Sequence, residues 1–170
     1  MRVLGVDPGL VVTGYGVLDQ TGRSIRLVEA GTIDAGDAKS SLPVRLCRLH
    51  EELNALIEDH QPEVMALEQL FTHYEHPRTA VLMGHARGVI CLAAGLHRIP
   101  LYHYPPAQVK SALTGNGRAS KEQIQQLVRR TFGLIETPRP PDVADAVAIA
   151  MTHLYREGAD SMAGRLRLAR

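Results

Sequence analysis

The stretch Val3-Leu4-Gly5-Val6-Asp7-Pro8-Gly9-Leu10 decides the fold that the rest of the sequence predicts. Its strand-forming apolar residues end at an aspartate, and the Pro-Gly pair that follows turns the chain away. We therefore predict a buried strand that presents the Asp7 carboxylate at its carboxyl end, the edge where open α/β sheets bind ligands. An aspartate before Pro-Gly can also serve only to support a turn. Other carboxylates converging on the same edge would separate these two interpretations.

Outward from this strand, apolar periodicity predicts an alternation of strands and helices. Val64–Leu67 is a short apolar strand that ends in a second carboxylate, Glu68. Ser120 and Gln123 form a capping-box pattern that predicts a helix start. The other predicted elements are strands over 13–18, 24–33 and 101–104, helices over 41–60, 78–95 and 142–156, and a short helix that starts at Pro105-Pro106.

The chain length of 170 residues fits one domain, which we place at residues 1–157. Residues 158–170 lack apolar periodicity and are rich in arginine, so they are expected to form a flexible basic tail. No apolar run reaches the roughly 18 residues that a membrane helix needs, and no leader pattern is visible. Cys47 and Cys91 are the only cysteines and are expected to be buried free thiols. These features predict a cytoplasmic protein without a membrane partner.

The formal net charge of +1 conceals a basic middle segment. Residues 77–135 contain eight Lys and Arg against one acidic residue, Glu122, whereas residues 1–76 contain six basic and twelve acidic residues. A segment this basic produces the local field that a nucleic-acid backbone selects. The same charges on a solvated helix face would need no ligand, so the charge pattern alone leaves both interpretations open.

Asp142 and Asp145 lie three residues apart and would share one face in the first turn of the last helix. Acidic residues also favour helix starts because they complement the helix dipole. The apolar run Ala146–Met151 nevertheless predicts a packed helix, in which these aspartates need an arginine or a divalent cation as a partner. With Asp7 and Glu68 they supply hard oxygen ligands that suit Mg²⁺ or Mn²⁺. Two such ions could activate a water and stabilise the leaving oxygen in phosphodiester hydrolysis.

Five sequence blocks carry a specific resemblance that covers nearly the whole chain. They are Gly5-Val6-Asp7-Pro8-Gly9, Leu67-Glu68-Gln69-Leu70-Phe71, Gly84-His85-Ala86-Arg87-Gly88, Gln108-Val109-Lys110 and Asp142-Val143-Ala144-Asp145-Ala146. In this order and spacing they resemble the RuvC-type Holliday junction resolvases, bacterial endonucleases of the ribonuclease H-like superfamily. The resemblance implies an α/β, ribonuclease H-like fold, with a five-stranded mixed sheet flanked by helices on both faces.

The resemblance also implies a metal-dependent catalytic site. The positions that match the metal-binding catalytic acids of the family are Asp7, Glu68, Asp142 and Asp145. They would hold Mg²⁺ or Mn²⁺, with two ions per active site. Some family members carry a histidine at the position of Asp142, which makes it the least fixed of the four ligands. Lys110 and Lys121 match basic residues near the scissile phosphate.

The resemblance further implies DNA contacts and protein partners. Phe71 matches an aromatic residue that stacks on bases near the junction centre, and the expected further DNA contacts are Tyr74, Arg78 and Arg118, besides Lys110 and Lys121. The segment Tyr74-Glu75-His76-Pro77 departs from the family pattern, which has an Asn before the Pro. Family members are homodimers that cut four-way DNA junctions by two coordinated symmetric nicks in recombination and repair. They act with the RuvA–RuvB branch-migration motor.

Three other functions share parts of this pattern. ATPases of the actin and sugar-kinase type also begin with a strand, an aspartate and a glycine, but they close two such domains around the nucleotide. A related module could bind branched DNA without cutting it, although all four acids are intact here. A ribonuclease H-like nuclease could act on RNA with the same fold and acids. The basic Lys110 and Lys121 and the Phe71 loop favour junction DNA.

Overall fold

The computed structural model describes residues 1–9, 11–36, 39–69 and 77–168, without the side chains of 77, 78 and 159–168. The described residues contain five strands: β1 (Arg2–Asp7), β2 (Val12–Thr21), β3 (Ser24–Asp34), β4 (Val64–Glu68) and β5 (Leu101–Tyr104). They also contain five helices: α1 (Leu42–His60), α2 (Pro77–Leu96), α3 (Pro106–Thr114), α4 (Lys121–Thr131) and α5 (Pro141–Leu168).

The five strands form one mixed sheet in the order β3-β2-β1-β4-β5. β1 lies at its centre, antiparallel to β2 and parallel to β4, and β4 is parallel to β5. The predicted fold class is therefore confirmed. Because β1 and β4 are parallel neighbours in register at Val6 and Leu67, their carboxyl ends lie side by side. Asp7 and Glu68 consequently emerge at the same edge.

Alternate residues of β1 and β4 supply two separate layers of the core, one on each face of the sheet. Val3 and Ala66 face the layer that contains α5, together with apolar residues of α3 and α4. Leu4 and Met65 face the layer built from α1 and α2. The sheet is thus covered on both faces, which explains why β1 and β4 read as continuous apolar runs rather than as alternating ones.

Helix α5 packs closely against the central strands because glycines there leave room for its backbone. A Cβ atom at Gly5 would collide with the carbonyl oxygen of Ala146, and one at Gly14 would collide with the carbonyl oxygen of Asp142. Gly14 is the β2 partner of Asp7 in the sheet register. The first turn of α5 therefore lies directly over the carboxyl end of β1.

The last helix is longer than the sequence predicted. It was expected to end near Arg156 with a loose tail beyond, but α5 continues to Leu168. Residues 157–168 contain no proline, and half of them are Ala, Leu or Arg, which are good helix formers, so the helix continues without an apolar face despite Gly158 and Gly164. The predicted helix end near Arg156 is therefore wrong, whereas the domain boundary at residue 157 and the flexibility of residues 158–170 stay predictions.

The two cysteines are free, as expected, but they are not buried as expected. Cys47 is exposed on α1 and Cys91 is half-buried on α2. The buried stripe of α1 includes Leu49, Leu53 and Ile57, and Cys47 lies off that stripe. The apolar sequence around Cys47 predicted burial, but only one face of α1 is covered and Cys47 lies outside it.

Helix α2 contains an apolar window that the sequence analysis had excluded. The window Thr79–Leu96 has 18 residues and a mean hydropathy of 1.5. By length and composition alone, a helix of this kind could cross a membrane. One such helix is weak support for a membrane span, because packed domain helices have the same composition. α2 packs an inner stripe that includes Ala86, Ile90 and Ala93 against the sheet and α1. Val81, Leu92 and Leu96 of the same helix are exposed.

Candidate active site

All six residues predicted to act in catalysis line one cavity of about 350 Å³ at the carboxyl edge of the sheet. They are Asp7, Glu68, Lys110, Lys121, Asp142 and Asp145. The apolar part of the wall comes from Pro8, Met83, Pro106, Val109, Ile124 and Ile149. Residues from four helices and two strands, far apart in sequence, therefore meet at a single site.

Among the described residues, Thr13 holds the turn after β1. The hydroxyl group of Thr13 donates a hydrogen bond to the Gly9 carbonyl oxygen at 2.8 Å and accepts one from the Gly9 amide at 3.2 Å. Thr13 is fully buried, so this pair fixes the course of the chain after Pro8. Thr13 therefore supplies support for this turn of the kind that the alternative interpretation assigned to Asp7.

Burial and like charge raise the pKa of Asp7 to about 9. Desolvation is the largest cause, followed by the negative charges of Glu68 and Asp145, and the protonated Asp7 donates a hydrogen bond to Glu68. The pKa of Glu68 is also raised, chiefly by burial. Without a cation in the site, these two carboxylates therefore share a proton near neutral pH.

Asp145 and Lys121 form an ion pair at the mouth of the cavity. The distance from Lys121 Nζ to Asp145 Oδ2 is 3.4 Å. Burial raises the pKa of Asp145 despite the opposing charge of Lys121, and the negative charge of Asp145 raises the pKa of Lys121. The Lys121 side chain is 65% exposed, so it stays within reach of a ligand in solvent.

Lys121 is placed by a helix cap that the sequence predicted. The Ser120 hydroxyl accepts a hydrogen bond from the Gln123 amide at 3.3 Å, and the Gln123 side chain accepts one from the Ser120 amide at 2.8 Å. This capping box starts α4 at Lys121. The capping box is thus confirmed, and it fixes the backbone position of a residue that lines the cavity.

The predicted DNA contacts are only partly described by the structure. Phe71 and Tyr74 lie outside the described residues, and Arg78 is described only as backbone in the first turn of α2. Arg118 is exposed in the turn between α3 and α4, where its amide donates to Asn116 Oδ1 at 2.9 Å. It lies three residues before Lys121 and outside the cavity wall. The roles of these four residues stay predictions.

The carboxylates of the cavity match a hard divalent cation in chemistry. All four supply oxygen ligands. Burial and then the neighbouring carboxylates raise the pKa of Asp7 and of Asp145, and a cation between the acids would counter both effects. Among the residues described, no three ligating side chains lie close enough together to form a ready-made metal site. The donor set therefore fits Mg²⁺ or Mn²⁺, although these side chains are not drawn together around an ion.

Met83 and Gly14 are two of the contributors to the site that were not predicted from the sequence. Met83 of α2 lines the cavity, and Gly14 of β2 lets the backbone of Asp142 approach Asp7. Alternate glycines at positions 14 and 16 within a strand signal a close backbone approach, so Gly14 could have been found. Met83 gave no such signal, because its helix is apolar on most sides.

Comparisons with known proteins give one consistent result. A family model described as "Crossover junction endodeoxyribonuclease RuvC" matches residues 3–153. A protein of that description from Rhodopirellula baltica is 50% identical over 153 residues, which cover 90% of this chain and 85% of that protein. One from Brevibacillus brevis is 45% identical over 153 residues, covering 90% and 91%.

Solved structures agree with the sequence matches. The structure described as T. thermophilus RuvC in complex with Holliday junction substrate has a TM-score of 0.86 and 36% identity, covering 92% of this chain and 94% of that chain. The yeast mitochondrial Holliday junction resolvase Ydc2 has a TM-score of 0.68 at 16% identity, covering 91% and 78%. At that identity the second match supports the fold alone.

Proposed function

Because the chain belongs to the RuvC family of crossover junction endodeoxyribonucleases, we propose that it resolves four-way DNA junctions by two symmetric nicks. The observation that carries this proposal is the convergence of four carboxylates and two lysines in one cavity at the sheet edge. A catalytically dead relative that only binds branched DNA would not need this complete set. The family resemblance in sequence and the geometry therefore support the same hydrolytic chemistry.

The four acids are proposed to hold two Mg²⁺ or Mn²⁺ ions, which supply a metal-activated water and stabilise the leaving oxygen. Asp7 and Glu68 would bind from the strand ends, and Asp142 and Asp145 from the first turn of α5. Asp7 and Glu68 must give up their shared proton for this, so metal binding is expected to strengthen as pH rises. Ile149 and other apolar side chains line the same cavity as these carboxylates.

The two lysines are proposed to act on the phosphate. Lys121 is held at the cavity mouth by Asp145, and Lys110 lines the wall from α3. Cations at these positions neutralise the charge that develops on the phosphoryl oxygens in the transition state. Lys121 is therefore expected to affect the cleavage rate more than junction affinity.

DNA rather than RNA is the proposed substrate. A nucleotide-binding function, as in the ATPases of the actin and sugar-kinase type, is not favoured by any feature of the described residues. The described residues fold as a single α/β unit, whereas the ATPases considered above close two such domains around their ligand. Base stacking by Phe71 and phosphate contacts by Tyr74, Arg78 and Arg118 are part of the proposal. The structure of a RuvC protein solved with a Holliday junction supports it, since 92% of this chain superposes on that fold.

A homodimer is proposed, and helix α2 offers the surface for it. Val81, Leu92 and Leu96 are 61%, 55% and 63% exposed on this helix. Gly84 and Gly88 lie on the same side, and a Cβ atom at either would meet nothing within 4 Å. An exposed apolar helix face with small residues can accept a second helix at close range. Cooperation with a RuvA–RuvB motor and a cytoplasmic location stay predictions from family resemblance.

The proposal is tested with a synthetic mobile four-way junction and Mg²⁺ or Mn²⁺. We expect paired nicks at symmetric positions that DNA ligase can reseal, and no cutting of the linear duplex of the same sequence. The Asp7→Asn variant provides the matched control, because it should bind the junction without cutting it. Binding without cleavage by the unaltered protein in either metal would contradict the enzymatic proposal and favour a binding module.

A further inference from the structure

One buried polar contact joins α5, which carries Asp142 and Asp145, to β5, the strand that lies beside Glu68. His153 of α5 is 1% exposed, and its Nδ1 atom lies 2.8 Å from the hydroxyl oxygen of Tyr104, which is 5% exposed. The ring of Tyr102 covers the His153 ring at a centroid distance of 4.7 Å. Burying an imidazole in the apolar part of α5 is unfavourable unless it is hydrogen-bonded. The contact with Tyr104 is thus the feature that requires an explanation.

The hydrogen bond joins the Tyr104 hydroxyl group to one ring nitrogen of His153, and the tautomer of His153 decides which of the two donates. His153 Nε2 is buried and has no hydrogen-bond partner within the described part of the chain. Among the described residues, the Tyr104 hydroxyl group is therefore the one hydrogen-bond partner of the His153 ring. Burial also lowers the pKa of His153, which keeps the imidazole neutral.

Tyr104 occupies a corner from which two parts of the active site extend. It is the last residue of β5 and the register partner of Glu68, and its carbonyl oxygen accepts a hydrogen bond from the Gln69 amide at 3.0 Å. The next residue, Pro105, is the N-cap of α3, which carries Lys110. His153 lies on the same helix as Asp142 and Asp145. The Tyr104–His153 bond therefore connects the lysine-bearing corner to the aspartate-bearing helix.

We propose that Tyr104 and His153 are positioning residues, whose hydrogen bond sets the placement of Lys110 relative to the aspartates of α5. The inference rests on the proposed function, since it assigns a role within that same site. Neither side chain lines the cavity, so neither touches the substrate. They act through the β5–α3 corner, where a small displacement would move Lys110 away from the phosphate.

The first test removes the hydroxyl group alone. Tyr104→Phe is expected to slow single-turnover cleavage by about 5- to 10-fold, the loss that a net hydrogen-bond energy produces in a rate. Junction affinity measured in Ca²⁺ should stay within about 2-fold of that of the unaltered protein, because the variant misplaces Lys110 without removing a contact to the DNA. Thr152→Val is the matched control, since Thr152 donates a buried hydrogen bond to the Ala148 carbonyl within α5. It should cut at the unaltered rate, and equal losses in both variants would overturn the proposal.

Two substitutions at His153 separate positioning from simple packing. The amide of asparagine can occupy the place of Nδ1 and form a hydrogen bond with the Tyr104 hydroxyl group in either direction, whereas leucine fills the space without a polar atom. His153→Asn is therefore expected to cut faster than His153→Leu, even where the leucine variant has the higher melting temperature. The opposite order of cleavage rates would make the bond a contribution to stability alone.

The coupling to Lys110 is tested by a double substitution. If Tyr104 acts through Lys110, the Tyr104→Phe change should have little effect once Lys110 is gone. The double variant should then cleave less than about 2-fold more slowly than Lys110→Ala alone. Losses that multiply fully would show that the two residues act independently, which contradicts the proposed route.

A readout without cleavage keeps the inference separate from the proposed function. The chain has three lysines, Lys39, Lys110 and Lys121, so the Cε signals of ¹³C-lysine-labelled protein can be assigned by substitution. Tyr104→Phe should shift or broaden the Lys110 signal and leave that of Lys39 in place, and Thr152→Val should change neither. An unmoved Lys110 signal overturns the positioning role whether or not the protein cuts junctions. A shifted signal in a protein that cuts none would contradict only the proposed function.

Discussion

At the scale of single residues, Asp7 connects folding stability to metal binding. Its carboxyl group titrates at about 9 in the folded chain, against 3.8 for an unperturbed aspartate. A raised folded pKa gives stability that is fully present below the unfolded value and is lost as pH rises toward the folded value. The metal-free protein should therefore lose stability between about pH 4 and pH 9. The buried carboxylates of the active site therefore lower the free energy of unfolding in the metal-free protein, and a bound cation would reduce this cost.

We predict that Asp7→Asn raises the melting temperature of the metal-free protein at pH 8, by roughly 3 °C or more. At pH 8 Asp7 must take up a proton on folding, because its pKa is about 9 in the folded chain and 3.8 for an unperturbed aspartate, whereas the amide of asparagine is neutral in both states. The measurement is a melting curve in EDTA at pH 5 and at pH 8, repeated with Mg²⁺. Mg²⁺ should stabilise the unaltered protein at pH 8 and have little effect on the variant. Melting temperatures that change in parallel with pH would exclude Asp7 as the responsible group.

Lys121 gives a second prediction at this scale. Lys121→Ala should lower the cleavage rate by about 100-fold, a typical loss for one transition-state contact, and change junction affinity by much less. Arg118→Gln, three residues away and exposed, should instead weaken binding and flatten its dependence on salt. Cleavage rates and binding at several salt concentrations distinguish the two. If Lys121→Ala alters only the salt dependence, its place in the catalytic site is wrong.

At the scale of helices and strands, the cap of α4 holds Lys121 in place. Ser120→Ala removes one half of the capping box and should cost about 1 kcal/mol, or roughly 2–4 °C in melting temperature for a chain of this size. Ser41→Ala is the control, since Ser41 stands at the N-cap of α1 but its side chain makes no capping hydrogen bond. It should melt almost as the unaltered protein does. Equal losses in the two variants would contradict the specific role of the α4 cap.

The same elements show how much of the molecule the sequence could specify. β4, β5 and the capping box follow from local patterns, namely short apolar runs and the Ser120-to-Gln123 spacing, and the structure confirms them. The convergence of the acids also followed, because carboxylates at the ends of parallel strands share an edge. The end of α5 and the exposure of Cys47 could not be predicted from the sequence. Both depend on which faces of a helix the neighbouring elements cover. The Tyr104–His153 bond has no sequence pattern at all.

At the scale of the whole molecule, the described surface leaves one helix face uncovered. The exposed apolar residues of α2 lie on the side opposite the stripe that packs on the sheet. A second copy related by a two-fold axis would cover this face with the same face of its own α2. Such a dimer would carry two active sites, as two symmetric nicks in one junction require. Association is thus expected to be a condition for coordinated cutting.

We predict that Leu92→Glu converts a dimer into a monomer, because a carboxylate at a position that is 55% exposed in the single chain would be buried against its partner. Ile135→Glu is the matched control, since Ile135 is 91% exposed and lies between α4 and α5, away from α2. Light scattering with size-exclusion chromatography should give half the mass for Leu92→Glu and an unchanged mass for Ile135→Glu. The monomer should fold normally and make, at most, single unpaired nicks. A Leu92→Glu protein that remains a dimer would move the interface to another surface, and an unaltered protein that is a monomer at micromolar concentration would contradict the dimer itself.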